Sequence, residues 1–92
     1  MSELRRSVTI VNQRGLHARA SAKFVGAVSA LPESTQVRVA KGSNEAAGGS
    51  ILGLMMLGAA KGDDIEVIVS GDNAESVLGE LVALIDDGFG EE

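Results

Sequence analysis

Ser7-Val8-Thr9-Ile10-Val11 alternates polar and apolar positions, the period of a strand with one buried face. The turn Asn12-Gln13-Arg14-Gly15 follows. Ala20, Phe24, Ala27, Val28 and Leu31 then recur at helical spacing, which predicts a helix over 18–31 that Pro32 stops. Alternation returns in Gln36–Lys41, with Val37 and Val39 inward and Arg38 outward. Gly42-Ser43 has the composition of a two-residue hairpin turn, glycine supplying a positive φ, and predicts a returning strand over 44–47. Ser50 stands at an N-cap position before Ile51-Leu52-Gly53-Leu54-Met55-Met56-Leu57, a short apolar helix. Lys61-Gly62-Asp63-Asp64 turns into Ile65-Glu66-Val67-Ile68-Val69, the cleanest strand of the chain. Asp72 and Glu75 have capping-box spacing ahead of a last helix. Its buried stripe is Ala74, Val77, Leu78, Leu81, Val82 and Ile85, and Gly88 is its stop. Helices laid over one face of a small antiparallel sheet is the economical packing of this order, so the expected class is α+β, in one domain over residues 1–92.

Composition narrows the chemistry. Of 92 residues 45% are apolar, which fits a packed globule and excludes a disordered tail. The chain has no cysteine and one histidine, His17, which excludes a disulfide framework, a thiol nucleophile and a zinc site of Cys and His; no metal or cofactor is expected. The longest apolar run, Ile51 to Ala60, is half a membrane span, and Met1-Ser2-Glu3-Leu4-Arg5-Arg6 leads into no signal-peptide core. A cytoplasmic protein without membrane insertion is expected.

Charge is uneven along the chain. Through Lys41 there are seven bases against Glu3 and Glu33, whereas from Asp63 onward there are ten acids and no base. A net charge of −5 and only two aromatic residues exclude nucleic acid as a partner. The basic half suits a local anionic site or docking on an acidic protein, although a solvated surface can segregate its charges with no such role.

His17 directly precedes the first predicted helix, after Gly15 and before Arg19. The first N–H groups of a helix lack partners, and the helix dipole favours the neutral, nucleophilic form of a ring placed there. The same N–H groups, with Arg19, suit the oxygens of a phosphoryl group carried by the ring, and Gly15 allows a sharp turn that leaves the approach open. A lone histidine at a helix start is more commonly just a cap.

Gly15-Leu16-His17-Ala18-Arg19, then Ala22 and Phe24-Val25, closely resembles the active-site segment of the HPr family, the histidine phosphocarriers of the bacterial phosphoenolpyruvate-dependent phosphotransferase system. Ser50-Ile51, Gly53-Leu54-Met55 and Leu57-Gly58 resemble that family's regulatory-serine helix, and Phe89-Gly90-Glu91 is similar to its ending. The resemblance implies an open-faced β-sandwich of four antiparallel strands under three helices. It implies that enzyme I phosphorylates His17 on Nδ1, that Arg19 contacts the phosphoryl group with the backbone of Ala18, Arg19 and Ala20, and that an enzyme IIA domain receives it. HPr kinase/phosphorylase would modify Ser50. The expected protein is a stoichiometric carrier, a monomer, and not itself an enzyme.

Two departures matter. Ala20 replaces the family's usual proline, a change expected to be near neutral within the first helical turn. Ala47-Gly48-Gly49 replaces the usual Asn-Ala-Lys, removing a positive charge beside Ser50. The apolar helix that follows has six apolar side chains in seven residues and cannot bury them on one face, so Leu52, Met55 and Met56 are candidates for a partner-docking surface. A serine at an N-cap is also commonly only a cap, the plainer reading of Ser50 beside the regulated one. Two rival functions stand beside the carrier: a regulatory module acting through phospho-Ser50, and an acyl-phosphate hydrolase using Asn12 with Arg14 or Arg19. Lys61 lacks a P-loop frame, and Asp63-Asp64 and Asp86-Asp87 lack calcium-loop spacing. Sugar transport and a nitrogen-type regulatory branch look alike at this level; Arg14, Ala20 and Gly48-Gly49 lean slightly to the latter by resemblance.

Overall fold

The computed structural model describes residues 3–91; Met1, Ser2 and Glu92, which fall within the span expected for the domain, lie outside the described residues. The elements are β1 (Glu3–Thr9), α1 (Ala18–Ser29), β2 (Gln36–Lys41), β3 (Asn44–Ala47), α2 (Ile51–Met56), β4 (Asp64–Ser70) and α3 (Ala74–Asp86), followed by a single turn, Gly88–Gly90. The strands form one antiparallel sheet in the order β1-β4-β2-β3. The expected open-faced α+β architecture is the observed one.

Strand parity sorts the sheet's two faces. Ile65, Val67 and Val69 point inward from β4, Val37 and Val39 from β2, and all join Phe24, Leu54, Ile85 and Phe89 in the core. The predicted stripe of α3 is buried at all six positions and supplies much of that core. Burying each Val, Leu or Ile side chain contributes about 1.5–3 kcal/mol relative to exposure.

Among the described residues no helix covers the opposite face of the sheet, yet Ile68 there is 1% exposed. Its register neighbours are Arg5 on β1 and Arg38 on β2, whose aliphatic stems cover it. Their guanidinium groups then reach carboxylates: Arg5 pairs with Glu3 at 3.2 Å and Glu66 at 2.9 Å, and Arg38 with Glu45 at 2.7 Å and with Glu3. Charge separated along the chain is thus partly recombined in space, because antiparallel pairing sets the basic first strand against the acidic fourth.

Several boundaries differ from the sequence reading. β1 begins at Glu3 and ends at Thr9, so Val11 lies outside the strand and is exposed. Arg6 stands at the inward parity between Leu4 and Val8 and breaks the alternation that would have announced the strand. α1 ends at Ser29, with Ala30 as its C-cap, two residues before the end predicted from Pro32. The capping box is not formed. The N-cap of α3 is Asn73, at φ 58° with no side-chain cap bond, and the Asp72 carbonyl instead accepts from Thr35 Oγ1 at 3.2 Å. The helix thus begins one residue later than a box on Asp72 would start it. The Gly42 turn has the expected positive φ, 61°.

Candidate functional site

His17 is the N-cap of α1, its backbone extended at φ −78° and ψ −176°. Its place depends on the turn before it. Gly15 has φ 64°, and a Cβ there would lie 2.3 Å from the Ala59 carbonyl oxygen. Glycine there makes the sharp turn that the sequence suggested and also permits close packing on the Ala59–Ala60 backbone. Leu16 N–H donates to Ala59 O at 3.0 Å, tying the turn to the segment after α2.

The ring is engaged at both nitrogens. Arg19 N–H donates to Nδ1 at 3.2 Å, and Nε2 lies 2.6 Å from Glu91 Oε2. A backbone N–H can only donate, so Nδ1 is the acceptor; the network assigns the ring proton to Nε2, where it donates to the carboxylate. Glu91 is itself oriented by Asn12, whose Nδ2 donates to Glu91 Oε1 at 3.2 Å and to Gly15 O at 2.9 Å. The bond with His17 holds the Glu91 carboxyl below the ordinary glutamate range; the Asn12 bond and the charge of Arg19 add to this, and desolvation opposes it. The His17 side chain retains 20% exposure, enough for a partner to reach it.

Two bases of the His17 segment are left unpaired. Among the described residues, Arg14 and Arg19 are exposed and form no salt bridge, whereas Arg5, Arg38 and Lys41 are paired with carboxylates. Ala18, Arg19 and Ala20 make the first turn of α1, where N–H groups have no intrahelical acceptor. Asn12 does not provide the phosphate ligand of an acyl-phosphate hydrolase: it is buried, and both amide protons are spent on Gly15 and Glu91.

Ser50 caps α2 as its position predicted, Oγ accepting from Gly53 N–H at 2.9 Å. A Cβ at Gly53 would lie 3.0 Å from that oxygen, so glycine keeps the hydroxyl clear. The missing alanine at position 48 has a steric reason: a Cβ there would lie 2.7 Å from Val37 Cγ1. α2 is short and amphipathic in the way its composition required. Leu54 is buried, while Leu52 is 68%, Met55 40% and Met56 77% exposed. α1 and α2 pack against each other.

A family profile described as PTS HPr component phosphorylation site matches residues 4–87. The chain belongs to this family. Its members are phosphocarriers of the phosphotransferase system. Phosphocarrier protein HPr of Pseudomonas aeruginosa is 42% identical over 85 residues, 91% of this chain and 92% of that protein. Phosphocarrier protein NPr of Shewanella violacea is 37% identical over 91 residues, 99% of this chain and 98% of that protein. The crystal structure of HPr-C-His from Thermoanaerobacter tengcongensis superimposes with a TM-score of 0.86 at 38% identity, covering 100% of this chain and 99% of the other. This HPr-family chain has no helix, among its described residues, long and apolar enough to cross a membrane.

The two residues that sequence reasoning missed are Glu91 and Asn12. Glu91 was part of the ending that resembles the family, but nothing in its spacing says that it meets a ring 74 positions away. Asn12 was noticed only as a turn residue and as the support for a rival reading.

Proposed function

We propose that His17 carries the phosphoryl group, on Nδ1. The reading rests on one observation above others: the only histidine of this phosphocarrier chain directs Nδ1 at the first-turn N–H groups of α1. The Nδ1 lone pair would attack phosphorus on phosphorylated enzyme I, forming the N–P bond as the bond to the donor breaks and its electron pair stays with the donor. The N–H groups of Ala18, Arg19 and Ala20 and the Arg19 guanidinium would receive the phosphoryl oxygens in place of the present Arg19–Nδ1 bond. Enzyme IIA then takes the group, in a sugar-transport or a regulatory branch. The protein is the substrate of enzymes at both steps, acting as a monomer in the cytoplasm.

Leu52, Met55 and Met56 supply the docking surface, supported by their exposure beside α1; uncommitted Arg14 and Arg19 suit an acidic partner. HPr kinase/phosphorylase acting on Ser50 would add about two negative charges to that surface and slow transfer from enzyme I. A Ser50→Asp protein is expected to accept phosphate more slowly than the native chain, and an equal rate rules this regulation out.

Intact mass after incubation with enzyme I and phosphoenolpyruvate, with and without an acid wash, tests the carrier. One phosphoryl group, lost in acid and absent from His17→Ala, is expected. An acid-stable group, or none, returns His17 to the role of a helix cap.

A further inference from the structure

The segment 57–63, which joins α2 to β4, is bonded to the chain on both sides of the turn before His17. Ile10 N–H donates to Asp63 O at 2.9 Å and Gly62 N–H to Ile10 O at 2.8 Å; Leu16 N–H donates to Ala59 O. One acidic side chain closes this segment on itself. Asp63 Oδ2 accepts from Ala60 N–H at 2.9 Å, while Asp63 N–H donates to Ala60 O at 2.9 Å. Lys41, at the end of β2, lies 3.2 Å from the same Oδ2 and donates to Gly58 O at 3.2 Å. The Ala60 N–H and then Lys41 hold the Asp63 carboxyl below the ordinary aspartate range, against desolvation. No catalytic role assigned so far uses either residue.

We infer that Asp63, assisted by Lys41, is a positioning residue for phosphoryl transfer: it fixes the Ala59–Ala60 peptide on which the His17 turn rests. The inference rests on His17 being the carrier residue. Ala59 C=O and Ala60 N–H are the two ends of one planar peptide group, so they turn together. Asp63 grips the N–H end and Leu16 N–H binds the carbonyl end. Rotating this peptide out of place would break both bonds at once. A carboxylate on the N–H also polarises the carbonyl beyond it, which strengthens that carbonyl as an acceptor. Gly15 packs on the same peptide: a Cβ there would meet Ala59 O and Ala60 Cα. Leu16 directly precedes His17, so a shift of the peptide moves the backbone from which the ring is carried. In-line transfer is sensitive to such shifts, since a misplacement of about 1 Å can cost about a hundredfold in rate. Lys41 secures the near end of the segment at Gly58, whose N–H donates to Met55 O of α2 at 3.1 Å.

Three variants of the full chain test this with two readings, the Leu16 amide proton shift in NMR and the kinetics of phosphorylation by enzyme I. In Asp63→Ala the Leu16 proton should move upfield as its bond to Ala59 weakens. The kcat for phosphorylation should fall about tenfold, the scale of one charge-assisted hydrogen bond, with KM little changed because α2 is untouched. Asp63→Asn keeps an oxygen for Ala60 N–H and should recover most of both. Lys41→Met keeps the apolar stem and should lose less than Asp63→Ala. A native kcat in folded Asp63→Ala, or a rise in KM alone, overturns the positioning role and leaves the carrier intact. A slower kcat with the Leu16 proton unmoved overturns the route through Ala59. If Asp63→Ala does not fold, Lys41→Met decides by the same two readings. A native protein that takes no phosphoryl group on His17 overturns the carrier reading and this inference together.

Discussion

His17 begins α1 and Ser50 begins α2, each from an extended backbone and each accepting an N–H of the first turn. The similarity stops there. The Ser50 side chain makes a local bond, its Oγ accepting from the N–H of the third residue after it. His17 makes one weak local bond, 3.2 Å to Arg19 N–H, and is otherwise held by contacts remote in sequence: Gly15 on Ala59, and Glu91 on the ring. A local cap can be recognised and modified by an enzyme that reads a short segment. A reactive ring must meet partners in one tautomer and one orientation, and only packing from several elements imposes that.

The largest effect should come from the turn beneath His17. Gly15→Ala combines left-handed strain with a Cβ pressed on the Ala59 backbone, so urea unfolding should show a loss of about 3 kcal/mol. A loss under about 0.5 kcal/mol, the range of an ordinary surface change, would mean that the two segments are not locked together. Next is Ser50→Ala, expected to cost about 1 kcal/mol in the same measurement while leaving His17 phosphorylation at its native rate. If both caps prove equally coupled to the carrier reaction, the contrast between them fails.

A smaller effect separates them by pH. The carboxyl of Glu91 is depressed in the folded protein, so it contributes stability above the ordinary glutamate pKa, and that contribution is lost as pH falls below about 4. Glu91→Gln should therefore lose less stability than the native protein on acidification through this range, whereas Ser50→Ala should follow the native curve with a constant offset. Parallel curves for Glu91→Gln and native protein would dismiss the coupling. The smallest change in stability, within about 0.5 kcal/mol, is expected for Gly49→Lys, since Gly49 is exposed with open space around it. It restores a positive charge beside Ser50 and should raise the rate at which HPr kinase modifies it, while transfer to His17 is unaffected.

Legibility in the sequence followed the range of the interactions. β2 and β3 were bounded correctly because alternation and a Gly42 turn are local matters, and the α3 stripe because helical period needs no knowledge of the partner surface. Reading Asp72 and Glu75 as a capping box failed because the N-cap falls one residue later, on a left-handed Asn73 that makes no side-chain cap bond. The start of β1 was hidden because Arg6 occupies an inward position on an edge strand, where one long side chain can still reach water.

By itself the sequence determined the elements, the α+β class, the place of His17 and Ser50 at two helix starts and the surplus of apolar side chains on α2. Backbone period, caps and turn chemistry act over a few residues and leave their mark in composition. Tertiary structure alone decided that Arg5 and Arg38 cover Ile68, that Gly15 packs on Ala59, and that the left-handed turn Gly88–Gly90 carries Glu91 to His17. Each joins residues far apart in the chain, whose proximity is created by chain reversal and core burial and is recorded in no local pattern.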